Sequence, residues 1–248
     1  MGKRIVGTLT FFGIFLTAFG VQFCTLKAQG LSGLFTNPTT WVQQFDSLVG
    51  IHSSGLINGS LYQTQYINAQ IHPFWQGRDW KYGSLHYQGQ FYPQVALMYD
   101  AFTDQLILRH IDESNLNNWL LLFKEEIRFF TLQEKYFEYL GSESNKKLAS
   151  GFYEILYKGK NLKLVAKRYK EDYIEEKTIQ FREKSSFYLL YQNSASNLNR
   201  EKDFLELFAS RKVEINHFIR QNQLKIKPTQ ESDLIRLSEF CDQLIPLP

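Results

Sequence analysis

The stretch from Asn58 to His110 constrains the fold of this 248-residue chain more than any other. Short runs of β-branched and aromatic residues alternate there with turn residues, a pattern typical of antiparallel strands joined by tight turns. Within the runs, apolar side chains recur at every second position, as at Val95, Leu97 and Tyr99. Because alternate side chains of a strand point to opposite faces, this spacing predicts one buried face. The stretch therefore predicts an antiparallel β-meander.

Two sequence features place the turns and irregularities of this meander. Gln88-Gly89 separates two strand-like runs, and a two-residue hairpin turn needs the positive φ that glycine adopts without steric cost. The segment from Asp100 to Asp104 is the next predicted turn. Pro73 and Pro93 cannot donate to a ladder, so they mark strand ends, edges or bulges.

A polar loop inside the stretch supplies the candidate binding residues. Trp75 and Trp80 flank the tetrapeptide Gln76-Gly77-Arg78-Asp79. Tryptophan and arginine are the residue types most enriched among binding hot spots. We therefore expect Trp75, Arg78 and Trp80 to form an exposed contact surface. The alternative is that both rings cap the core, which is the common role of large aromatic side chains.

A series of short motifs runs along this stretch and continues in a second block. The motif residues are Asn58-Gly59, Leu61-Tyr62, His72-Pro73-Phe74, Trp80, Gly83, Leu85, Tyr87, Gly89, Tyr92, Leu97, Tyr99-Asp100, Asp104 and Leu106, followed by the block from Gly151 to Arg168. In this pattern the chain resembles a family of exported β-rich proteins of the Bacteroidota. The resemblance implies an envelope protein, but the family has no established activity and no catalytic residue to transfer. Gln88 departs from the family's usual asparagine, and glutamine is less favourable at positive φ.

The first 28 residues have the features of a secretory signal. Lys3 and Arg4 precede an almost wholly apolar run from Ile5 to Phe23, and the small residue Ala28 suits cleavage. We expect the mature protein to be periplasmic or associated with the outer membrane. Peripheral association with a membrane is compatible with this location. The alternative is a retained anchor, because the apolar run approaches the length that spans a bilayer.

Loss of this signal changes the charge of the chain. The formal charge of the full chain is +3, and residues 1–28 contain three cations and no acid. The mature chain is therefore formally neutral, which argues against nucleic acid as a partner. Its one cysteine, Cys241, cannot form an intramolecular disulfide, and its helical spacing with Leu237 and Leu244 predicts burial.

The whole pattern predicts an α+β fold. We expect a signal peptide at 1–28, a segment with a short helix at 29–57, an antiparallel β domain at 58–193, and a helical part at 194–248 packed on the sheet. The sheet is an antiparallel meander, flat or curled into a roll or open barrel. Two to three short helices follow, the last with Thr229 as its N-cap. Trp119 to Phe123 fits a strand or a helix equally.

A run of basic residues occurs between Lys158 and Lys170, and four acids follow it at once. The acids are Glu171, Asp172, Glu175 and Glu176. We expect a solvated face whose charges compensate one another. The alternative is a patch that attracts an anionic partner, but neighbouring acids weaken the net field that such attraction needs.

No motif of a known catalytic or metal site is present in the sequence. The candidate ligands of a metal cluster are His72, His86 and His110 together with Asp79, Asp100 or Asp104, but no pair of them has ligand spacing within one element. Ser144 and Lys147 match a nucleophile and base in spacing alone, and Glu154 with Glu183 is the carboxylate pair considered for hydrolysis. We therefore predict no catalytic residue, no metal and no cofactor.

These observations favour a non-enzymatic binding or assembly module of the cell envelope that contacts another envelope protein or an outer-membrane complex. One alternative is a carrier of a hydrophobic or glycan ligand in a barrel-like pocket. A second is a hydrolase with an unrecognised site.

Overall fold

The computed structural model describes residues 56, 59–63, 66, 69–111, 116–141, 148–192 and 194–245, all within the compact unit from Thr39 to Pro248. The predicted signal at 1–28 lies outside the described residues. So do the predicted segment 29–57, apart from Leu56, and the loop that contains Ser144 and Lys147.

Within the described residues, eleven strands form one antiparallel sheet. They are β1 (Gly59–Leu61), β2 (Lys81–Tyr87), β3 (Gln90–Asp100), β4 (Gln105–Ile111), β5 (Asn117–Leu122), β6 (Ile127–Leu132), β7 (Lys135–Leu140), β8 (Gly151–Lys158), β9 (Leu162–Glu175), β10 (Thr178–Tyr191) and β11 (Ser194–Asn197). Their order across the sheet is β1-β5-β4-β3-β2-β6-β7-β8-β9-β10-β11, which is open. Three helices follow: α1 (Glu201–Leu207), α2 (Lys212–Gln221) and α3 (Glu231–Leu244). The predicted α+β class is confirmed.

The predicted turn chemistry is present in the meander. Gln88 and Gly89 both have positive φ, 49° and 80°, and join β2 to β3. The register shifts between Gly83 and Leu85, opposite Pro93 and Gln94, so the proline lies at a bulge as expected.

Four structural details either differ from the predictions or decide between alternatives that the sequence left open. Trp119 belongs to strand β5, because its neighbours pair with β4 on one side and β1 on the other. The sequence predicts two separate last strands, at 179–182 and 187–191, and the structure has one continuous strand there, β10. The sheet extends through β11, beyond the predicted boundary at 193. Helix α3 begins after Gln230, not after Thr229.

The sheet curves around a first hydrophobic core. The turn after β3 lies against β9 although four strands separate them in the sheet order, since Lys170 N donates to Ala101 O at 3.1 Å. Aromatic rings fill the concave side: Phe130 stacks on Phe137 with centroids 4.8 Å apart, and Phe152 meets Phe130 edge-on at 5.0 Å.

A second core joins the helices to the end of the sheet. Alternate residues of β9 (Leu162, Leu164 and Ala166) are buried with Phe187 and the apolar faces of the helices. Cys241 of α3 is fully buried in this core, as predicted, and burial raises the pKa of its thiol to about 12.

Polar side chains of α3 fix the helix to the sheet at two points. Asp242 accepts hydrogen bonds from the backbone N–H groups of Lys160, Asn161 and Leu162 at 2.8–3.1 Å. Glu231, in the first turn of α3, receives a bidentate bond from Arg168 of β9 at 2.7 and 2.9 Å. The two carboxylates therefore fix the position of α3 along the sheet as well as its distance from it.

Candidate interaction surface

Trp75 is part of the core. Its side chain is 3 % exposed and meets Phe137 edge-on, with ring centroids 5.2 Å apart. Lys81 Nζ lies 5.7 Å from the indole centroid and donates to Gln76 O at 2.7 Å. The expectation that Trp75 is exposed is therefore wrong. The loop turns the ring inward because backbone hydrogen bonding pins its start to the sheet, with Trp75 N donating to Tyr99 O at 2.9 Å.

Arg78 and Trp80 remain nearer to the surface. Arg78 is exposed, and its Nη2 donates to Ala69 O at 2.8 Å. Trp80 is half-buried and meets Trp119 edge-on at 5.3 Å. The structure thus separates the three candidates: one is in the core and two border the surface. Whether Arg78 and Trp80 bind a partner stays a prediction.

The histidines and carboxylates considered for metal binding are spread over the sheet. In the part of the chain that the structure describes, no three His, Cys, Asp or Glu residues are grouped so as to hold a metal ion. The pKa of His72 is lowered by burial and by the nearby charges of Lys170 and Arg78, and its Nδ1 is buried without a hydrogen-bond partner. His72 is therefore neutral near pH 7.

Glu154, one of the carboxylates considered for hydrolysis, is neutralised by two cations. Its Oε2 accepts from Arg168 Nε at 2.6 Å, and its Oε1 lies 2.8 Å from Lys135 Nζ. Arg168 also bonds Glu231 and the Ser185 hydroxyl. Two acids and two bases thus balance one another between the two cores. Buried charges need such pairing, so the cluster has a sufficient structural explanation.

Asp104 gathers a second set of polar groups beside β8. Its carboxylate accepts from the Tyr99 hydroxyl at 2.6 Å and lies 2.6 Å from Lys124 Nζ and 2.8 Å from Lys167 Nζ. Burial lowers the pKa of Lys167, and the charge of Asp104 partly offsets that effect. Burial together with Asp104 raises the pKa of Tyr99 well above its ordinary value. The carboxylate is therefore fully engaged within the fold.

The basic run on β8 and β9 does not pair with the acids that follow it. Lys163 and Lys158 both lie near Glu138, at 2.6 and 3.7 Å, while Lys167 and Arg168 pair with Asp104 and Glu154. The expectation of a self-compensating face is therefore wrong. The acids that pair with these lysines lie on other strands, so closeness in the sequence does not identify them.

The acids occur instead on a two-stranded ribbon, residues 171–182, which we call the arm. Strand β8 pairs with β9 only between Lys163 and Ala166 on the β9 side, and β11 pairs with β10 only from Tyr188 onward. Among the described residues, no third strand pairs with the arm. Glu176 and Lys177 form its turn with φ of 48° and 64°.

One face of the arm is mainly apolar from its base to its tip, and Asp172 is the one acid among the paired residues of that face. Ile174 pairs with Ile179, and the next pair on the same face is Asp172 with Phe181. Phe181 is buried, whereas Ile174 is 80 % exposed and Ile179 is 42 % exposed. The apolar face thus begins in the fold and ends in solvent.

The base of the arm is held firmly. Phe181 meets Tyr66 and Phe102 with ring centroids 4.9 and 5.1 Å away. Gln180 Oε1 accepts from Ile71 N at 2.8 Å on the opposite face. A free two-stranded ribbon is only marginally stable in water, so these contacts are what hold the arm in shape.

A shallow apolar groove on the helices is another exposed apolar feature. Its volume is about 310 Å³, and its lining comprises Val213, Glu214, His217, Phe218, Gln221 and Phe240. Phe218 and Phe240 stack at 4.0 Å beneath it. Val213 is 80 % exposed, as Ile174 is, but it projects singly from a helix.

Comparison with known proteins returns no match: no family model, no curated protein and no solved structure is similar to this chain. Within the described residues, none of the helices has the length and apolar character needed to span a membrane.

Proposed function

We propose that this protein is a non-enzymatic binding module of the cell envelope and that it contacts another envelope protein through the arm. The observation that supports this proposal is the Ile174–Ile179 pair at the end of a rigidly based ribbon. Large exposed apolar groups in a defined geometry mark interaction sites more often than isolated ones do.

The paired ionisable groups of the interior are consistent with binding. Glu154 and Asp104 are saturated by lysine, arginine and tyrosine donors, so neither projects an unpaired carboxylate towards a substrate. The arm, in contrast, keeps its groups available to a partner. The export expected from the first 28 residues directs the search for that partner to the envelope.

The test compares retention on washed envelope membranes from the cells that make the protein. Full-length protein with Ile174→Ser and Ile179→Ser is expected to be retained at least tenfold less than the unsubstituted protein, because loss of an interface anchor costs about 2 kcal/mol. Val213→Ser is the matched control, since its side chain is equally exposed. Equal retention of the arm variant and the control would contradict the proposal.

A further inference from the structure

The arm has an unbalanced charge. From Glu171 to Arg182 it carries four acids, one lysine and one arginine, a formal charge of −2. Lys184 lies 3.8 Å from Glu171, with both side chains largely exposed, so this pair contributes little. Of the residues that the structure describes, none forms an ion pair with Asp172, Glu175 or Glu176.

Protection of a ribbon edge does not account for this charge. Charged side chains on exposed strands deter edge-to-edge aggregation, and lysine is the residue most used for that purpose. Either sign would serve, yet acids outnumber bases by four to two on this arm. The basic residues just before it on β9 are meanwhile taken up by Glu138, Asp104 and Glu154 elsewhere in the fold.

The turn of the arm also carries charge at a conformational cost. Glu176 and Lys177 both have positive φ, where asparagine and glycine are favoured in a two-residue hairpin. Side chains with a Cβ are disfavoured there on steric grounds. The turn thus carries two charged residues at positions where an uncharged Asn-Gly turn would give a more stable fold.

We propose that the arm docks into an apolar pocket bordered by lysine and arginine side chains on a partner protein, an inference that rests on the proposed binding function. Ile174 and Ile179 enter the pocket, and Asp172 on the same face and Glu176 in the turn face its basic border. Complementary charge raises the rate of encounter and selects the partner, while the buried apolar pair supplies affinity. One hairpin offers a narrow contact, so the complex is weak and sensitive to salt.

The experiment measures retention of full-length protein on washed envelope membranes at about 0.05 M and about 0.5 M salt, a range over which the screening length falls severalfold. The neutral-arm variant carries Glu171→Gln, Asp172→Asn, Glu175→Gln and Glu176→Gln. A matched variant neutralises four exposed acids elsewhere: Glu125→Gln, Glu126→Gln, Glu134→Gln and Glu239→Gln.

We expect the unsubstituted protein to lose at least tenfold in retention between low and high salt. The neutral-arm variant should be retained at least tenfold less at low salt and should lose most of its salt dependence. The matched variant should behave as the unsubstituted protein does. Protease-treated membranes, and vesicles of phosphatidylethanolamine with phosphatidylglycerol, should retain none of the proteins.

Three outcomes would overturn the inference. If the neutral-arm variant binds with unchanged salt dependence while Ile174→Ser with Ile179→Ser does not bind, the binding function stands and the basic border is wrong. Retention by the vesicles or by protease-treated membranes would identify a lipid surface. A salt-sensitive dimer in analytical ultracentrifugation that the neutral-arm variant abolishes would identify a second copy of this chain.

Discussion

At the scale of single residues, Gly151 shows how closely the polar groups of the fold are packed. A Cβ built at this position would overlap the Asp104 carboxylate and the Lys167 ammonium group. Only a hydrogen atom therefore fits between β8 and the turn that follows β3. The ion pair and the glycine require each other, although they are far apart in the chain.

The change Gly151→Ala should displace this ion pair. Because Asp104 and Lys167 are largely buried, loss of their contact should lower the free energy of unfolding by about 1–3 kcal/mol. Chemical denaturation followed by tryptophan fluorescence measures the change. Gly89→Ala is a useful comparison, since a Cβ there meets nothing within 4 Å and only the positive φ is penalised. Equal stability of Gly151→Ala and the unsubstituted protein would show that the contact relaxes freely.

The two tryptophans of the polar loop should respond differently to truncation. Trp75→Ala removes a buried ring and should cost about 3–5 kcal/mol, whereas the half-buried Trp80 should cost less than half of that. Thermal unfolding of both variants checks the order. A Trp75→Ala protein that melts with the unsubstituted protein would mean that the ring is not in the core.

At the scale of elements, α3 is positioned by carboxylates as well as by its apolar face. Burial tends to raise the pKa of Asp242, but the backbone N–H groups of Lys160 and Asn161 outweigh it and hold that pKa below its ordinary value. In Glu231 burial likewise opposes the effect of Arg168, and the net pKa is lowered. Both carboxylates are therefore bound in their charged form.

This arrangement predicts how stability depends on pH. A carboxyl group with a lowered pKa in the folded state stabilises the fold above its unfolded-state pKa, and that contribution is lost as the pH falls through the folded-state pKa. We expect the melting temperature to be flat from neutral pH to about pH 5 and to fall below about pH 4. Asp242→Asn should be less stable by about 1–3 kcal/mol at pH 7, because an amide keeps only one acceptor oxygen. The difference should shrink on acidification, and a constant difference would contradict it.

The strands of the meander could be predicted from the sequence because their signals are local. Gln88-Gly89 determines a turn through its own backbone preference, and the spacing of Val95, Leu97 and Tyr99 determines a buried face. The arm could not be predicted in this way. The arm is exposed because β8 and β11 stop pairing with β9 and β10 before residues 171–182. Its acids are not offset by the preceding lysines, because those lysines pair with acids on other strands. The burial of Trp75 could not be predicted for the same reason, since the direction of its ring depends on a backbone hydrogen bond to Tyr99.

At the scale of the whole molecule, a curved sheet joins two cores through a layer of paired charges. The aromatic core under β2, β6 and β7 and the helical core against β9 meet at Arg168, which contacts Glu154 and Glu231. The strands β9 and β10 pass through this layer and continue outward as the arm. The rigid part of the fold thus supports the projecting arm, which suits a module that presents a contact surface.

The most direct test of binding through the arm is hydrogen–deuterium exchange of the full-length protein with and without washed envelope membranes, followed by mass spectrometry. Amides of the arm, residues 171–182, belong to a two-stranded ribbon and should exchange rapidly in the free protein. Binding through the arm should slow their exchange and leave α2, which carries Val213, unchanged. Unchanged exchange in the arm with protection elsewhere in the chain would contradict the account.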